Sequence, residues 1–134
     1  MRRTFSVAAI GAAILGLSAL PASAAPASHP KVHTFTLPAV TGIHTWGSYS
    51  LASGKADITL CVKETASDVD LAVAVAVATN ASVSKHQDIQ IEVLGSGKQV
   101  CRSMVTRDTA HLYAEATSGT ADGKSHMGKD IKIY

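Results

Sequence analysis

The sequence of 134 residues predicts an all-β protein: an antiparallel two-sheet β-sandwich of about eight strands with one disulfide. Three observations carry that prediction. Apolar residues recur at period two in short runs, turn-forming Gly, Ser and Pro separate the runs, and two cysteines fall on different runs. A single sheet of that many strands would leave a broad apolar face in water, so two packed sheets are the stable arrangement.

Residues 32–37 (VHTFTL) form the first strand, stopped by Pro38, which has no N–H to donate to a ladder. Residues 43–51 (IHTWGSYSL) form the second, with a bulge expected at Gly47 and a turn at Ser53-Gly54. In residues 56–62 (ADITLCV), Ala56, Ile58, Leu60 and Val62 share one face, while Asp57, Thr59 and Cys61 point the other way.

Residues 69–79 (VDLAVAVAVAT) contain enough alanine to favour a helix. Val69, Leu71, Val73, Val75 and Val77 at period two favour a strand more strongly, because β-branched side chains are stiff in a helix and fit a pleated surface. Apolar on both faces, this strand is expected to be central, with its alanines letting another layer or a covering loop come close. Residues 87–94 and 98–106 flank Gly95-Ser96-Gly97, which predicts a hairpin turn. Residues 110–117 and 126–134 complete the set, separated by a Gly- and Ser-containing loop at 118–125.

Ahead of the strands, residues 1–24 have the three zones of a secretory signal peptide: Arg2-Arg3, an apolar run over 7–20, and Ala22-Ser23-Ala24 for cleavage. That run is shorter than the ~20 residues of a membrane-spanning helix, so no membrane span is expected in the mature protein. Residues 25–31 (APASHPK) form a flexible arm, and residues 32–134 the β-sandwich domain. The formal charge of +2 is contributed entirely by Arg2 and Arg3, which leaves residues 25–134 charge-balanced. A balanced domain is not expected to bind nucleic acid, whose affinity depends on excess positive charge.

In an exported chain, Cys61 and Cys101 are expected to form a disulfide. Neither belongs to a Cys-x-x-Cys pair, so thiol catalysis is not expected. Trp46 precedes both cysteines, which departs from the Cys…Trp…Cys order of immunoglobulin domains.

No catalytic residue, metal site or cofactor is assigned. His33, His44, His86, His111 and His126 lie on separate strands or loops, with no helical ligand pair among them. The stretch from Gly119 to Gly123-Lys124-Ser125 imitates a phosphate loop but is one residue short and precedes no helix. Residues assigned to partner binding are Trp46 and Tyr49, which a bulge at Gly47 would bring to one face, and the acids Glu64, Asp68 and Asp70. Asp68 and Asp70, two apart on an extended chain, share one side.

The Arg-Arg start, the Pro21-Ala22-Ser23-Ala24-Ala25 signal end, and the stretches Cys61–Asp70 (CVKETASDVD) and Cys101-Arg102-Ser103-Met104 resemble small secreted proteins of actinomycetes. The resemblance implies location and fold, and no activity. The expectation is therefore a secreted, non-enzymatic interaction module, with inhibition of an extracellular enzyme as one form. Its partner would be an extracellular protein or a cell-wall glycan. Candidate contact loops are residues 64–68, 80–86, 107–109 and 118–125. The alternatives are a cell-surface or envelope-associated structural protein and a small metal-dependent hydrolase.

Overall fold

The computed structural model describes residues 28–95 and 97–134; the signal-peptide assignment and residues 25–27 of the arm lie outside them. These residues form nine strands: β1 (Val32–Thr36), β2 (Ile43–Ala52), β3 (Lys55–Glu64), β4 (Val69–Thr79), β5 (His86–Leu94), β6 (Gln99–Arg107), β7 (His111–Thr120), β8 (Ser125–Met127) and β9 (Ile131–Lys132). A four-stranded antiparallel sheet has the order β1-β2-β3-β6. A five-stranded antiparallel sheet has the order β5-β4-β7-β8, with β9 also paired to β7. The all-β two-sheet fold follows the sequence expectation. Among the described residues, no helix is long and apolar enough to cross a membrane.

The core lies between the sheets. Ala56, Ile58, Leu60 and Val62 of β3 are fully buried and face Ala72, Ala74 and Ala76 of β4, with Ile89 and Ile91 of β5 and Leu112 of β7. Alanines on β4 let the two layers meet closely, while Ile and Leu on the facing strands supply the bulk. The valine face of β4 is turned outward, and Val73, Val75 and Val77 remain half-buried.

Four details depart from the sequence expectations. The last predicted strand is split into β8 and β9, which gives nine strands rather than about eight. Gly128 separates them, its N–H donating to the Ala116 carbonyl at 2.8 Å, where a Cβ would collide with that oxygen. Gly47 is not bulged, for β2 pairs with β3 in unbroken register from Ile43 to Ala52. Gly47 is needed instead for closeness, because a Cβ there would fall on the Thr59 carbonyl oxygen and the Phe35 ring. The register shift comes between Val69 and Leu71, so Val69 turns inward and leaves the face it was expected to share with Leu71.

The fourth departure is topological. Gly95-Ser96-Gly97 does not close a hairpin, because β5 pairs with β4 whereas β6 pairs with β3 in the other sheet. The link carries the chain between layers, with Gly95 (φ 94°) and Gly97 (φ 73°) in conformations that disfavour side chains.

Candidate functional site

The expected bond between Cys61 and Cys101 is present, joining directly opposed residues of β3 and the edge strand β6. Trp46 lies opposite Cys61 on the outer face of the four-stranded sheet, in one row with Thr36 and both cysteines. His44 stacks on Trp46 with ring centroids 5.0 Å apart.

Without a bulge, Tyr49 points to the inner face, where it stacks on His33 at 5.1 Å and meets Tyr134 at 5.9 Å. Trp46 and Tyr49 therefore do not form a shared platform. Further along the same sheet, a polar depression of about 120 Å³ is lined by Val32, Ser48, Tyr49, Ser50, Asp57 and Thr59; Trp46 is not part of its lining.

The pleat also parts Glu64 from the other two acids. Asp68 is exposed in the β3–β4 loop, and its carbonyl accepts the Ala121 N–H at 3.0 Å. Asp70 is exposed at the register shift. Glu64 points inward and is fully buried at the end of β3, with no hydrogen-bond partner for either carboxyl oxygen. Burial pushes its carboxyl above the usual carboxylate range; the Lys98 ammonium opposes that rise and the Asp70 carboxylate adds to it. Thr45, its diagonal neighbour on the inner face, has an equally unpartnered buried hydroxyl. Alternation makes Asp68 and Asp70 legible as a surface pair, but the inward turn of Glu64 depends on register.

The four candidate loops do not converge. Strand directions put residues 65–68 and 121–124 at one end of the sandwich and residues 80–85 and 108–110 at the other. At the first end, the 119–125 segment is a surface turn in which Lys124 bonds Asp122 at 2.6 Å. Hydrogen bonds from Lys124 and Thr120 hold the Asp122 carboxyl below its ordinary range. Among the described residues, no three His, Cys, Asp or Glu side chains are grouped to hold a metal ion.

The outer face of the five-stranded sheet is a surface that the sequence reading did not assign. Register sets three rows across β5, β4 and β7: Glu92–Val73–Thr117, Gln90–Val75–Glu115 and Asp88–Val77–Tyr113. Leu71, Val73, Val75 and Val77 form an apolar column; the three valines have these flanking residues, and Leu71 lies in register with Leu94 and Gly119. Two shallow grooves of about 330 Å³ each follow it, one at Val75, Val77 and Tyr113, the other at Leu71, Val73 and Thr117. Val83 leans over the first groove from the β4–β5 loop, 60% exposed and at φ 56°, a strained conformation for a β-branched residue. The available signal was that β4 is apolar on both faces, whereas one sheet packing needs only one of them.

No protein-family model and no curated protein matches the chain. Among solved structures, an endonuclease/exonuclease/phosphatase from Beutenbergia cavernae DSM 12333 is similar at 16% identity, with a TM-score of 0.42. The match covers 70% of this chain and 27% of that one, so the chain spans about a quarter of that protein's length. Nothing about function follows from a likeness this distant.

Proposed function

We propose that the chain is a non-catalytic binding module that acts outside the cell and engages a protein partner through the outer face of β5-β4-β7. The observation that carries this reading is the uncovered Leu71–Val77 column. An apolar stripe on a sheet's solvent face gives no core packing, and such patches mark interaction sites. Its extracellular place is supported by the signal-like residues 1–24, by the resemblance to small secreted actinomycete proteins, and by the disulfide, a bond that persists in oxidising compartments. Inhibition of an extracellular enzyme is one form such binding can take, although the four candidate loops, split between two ends, do not offer it a single contact surface.

A photo-crosslinking residue introduced at Val75, with another at Val105 on the opposite sheet as control, tests the reading in cultures of the producing cell. A discrete adduct from position 75 is expected. Its absence, or equal labelling from position 105, would sink the proposal.

A second reading, retention on a cell-wall glycan, is favoured by the Trp46–His44 stack on the outer face of the four-stranded sheet and by a hydroxyl-lined depression in that sheet. Sugar rings stack on aromatic faces while side-chain oxygens orient their hydroxyls. Under this reading Trp46→Ala abolishes retention on washed, protease-treated envelopes; undiminished retention would rule Trp46 out.

A further inference from the structure

We infer that the outer face of β5-β4-β7 is a groove for a cationic amphipathic α-helix of a partner protein, laid along the Leu71–Val77 column. This rests on the binding reading above and gives that face an occupant. The argument has three parts.

The first is hydrogen bonding. The column runs over the middle of a sheet, where β4 is paired on both sides by β5 and β7. No backbone donor or acceptor is offered to the occupant. An extended segment lying there would leave its own N–H and C=O groups unpaired, whereas a helix satisfies them internally. Edge-strand addition, the usual way an extended peptide meets a sheet, is therefore not what this face accommodates.

The second is length. From Leu71 to Val77 the column runs about 20 Å, six residue steps along a strand. A helix of about 13 residues covers the same distance. Its apolar stripe would lie over the two grooves, ending near Val83 at one end and the 121–124 turn at the other.

The third is charge. Asp88 and Glu92 stand on the β5 flank, and Glu115 and Asp130 on the β7 flank; all four are exposed. Asp70 closes the Leu71 end. Lys132, in register with Tyr113, is the cation in these rows, while Lys124, at the same Leu71 end as Asp70, is occupied by Asp122. A helix with Lys or Arg on both shoulders meets carboxylates on both sides. An anionic helix or an anionic lipid surface meets repulsion. The described part of a second copy contributes no helix.

The probe is a capped peptide of about 14 residues with a leucine stripe and lysine shoulders, titrated into the purified protein. The controls are a scrambled peptide of the same composition and one with glutamate in place of lysine. Binding is followed by fluorescence anisotropy and located by amide chemical shifts. The expected result is one-to-one binding in the micromolar range, with shifts confined to β4, β5 and β7. Asp88→Lys combined with Glu115→Lys, both exposed and compatible with the fold, should weaken it by about tenfold or more.

Equal affinity for either control peptide overturns the proposal, as do failure of the lysine peptide to bind and shifts centred on Trp46 and Thr59. Dimerisation through Val75, read by sedimentation, would overturn it in favour of a second copy. A Val75 adduct whose joined segment is not a cationic helix defeats this inference alone, whereas absence of any adduct defeats the binding reading beneath it.

Discussion

Glu64 shows how one position can run against its surroundings. It continues the inward series Ala56, Ile58, Leu60 and Val62, so the pleat forces a carboxyl into the layer that β3 fills with hydrocarbon. Burial favours the neutral acid, and the folded protein holds that proton at pH values where the unfolded chain, with a carboxyl near 4.5, has lost it. Where the folded state binds more protons, stability falls as pH rises. The loss starts near the unfolded value and continues until the raised folded value has been passed. Glu64→Gln keeps the shape without the charge, so its Tm should exceed that of the parent at neutral pH, with the gap closing on acidification below about pH 4. Thermal melts across that range check this; a constant gap, or a less stable variant at neutral pH, would contradict it. The sequence showed Glu64 only as an acid near Asp68 and Asp70, because it falls in the expected 64–68 loop, beyond the predicted strand 56–62, and a loop residue has no assignable face; the structure extends β3 to include it.

At the scale of elements, β4 combines a strand that alternation identifies with a direction that alternation leaves open. Valine and alanine both belong in cores, and the larger residue is the intuitive candidate for the inside. The sandwich uses the smaller one, since Ile58 and Leu60 across the interface already fill the space between layers. Ala76→Leu should therefore destabilise by about 1–3 kcal/mol through overpacking. Val75→Ala, on the outward face, should cost about 1 kcal/mol or less. Urea titrations of the two variants decide which face is inside, and the reverse ranking would contradict the structure.

The disulfide joins β3 to β6, an edge strand held on one side only. Replacing Cys61 and Cys101 together by alanine should lower stability by up to about 4 kcal/mol, the loop-closure value for a sequence separation of 40. Amide exchange should then rise first in β6. Exchange rising first in β4 would place the weak point elsewhere. The pairing was legible from the two cysteines and the expectation of export, but the splitting of residues 126–134 was not, because it depends on how closely Gly128 approaches Ala116 on β7.

At the scale of the molecule, the balanced charge of residues 25–134 conceals a polarised surface. The outer face of the four-stranded sheet carries Lys55, Lys63 and Arg107 against Asp57, while carboxylates predominate on the outer face of the five-stranded sheet. Nucleic-acid binding was set aside on net charge, a sum that is blind to such separation. If the acidic face takes a cationic helix, affinity should fall steadily with added salt, because exposed charge pairs are screened within a Debye length of about 10 Å at 0.1 M. The effect should lie mainly in the association rate. Titrations and stopped-flow mixing at several salt concentrations measure this; salt-independent binding would mean that the valines act without the carboxylates.

Local alternation, turn residues and cysteine count were enough to determine an all-β chain with its strands placed to within a few residues and its disulfide paired, since those features depend on near neighbours and on backbone chemistry. Which strands share a sheet, which face of β4 meets water and which carboxyl is buried were decided only by the tertiary structure. Each depends on register and layer packing between residues far apart in the chain, and a shift of one residue in register exchanges inside for outside.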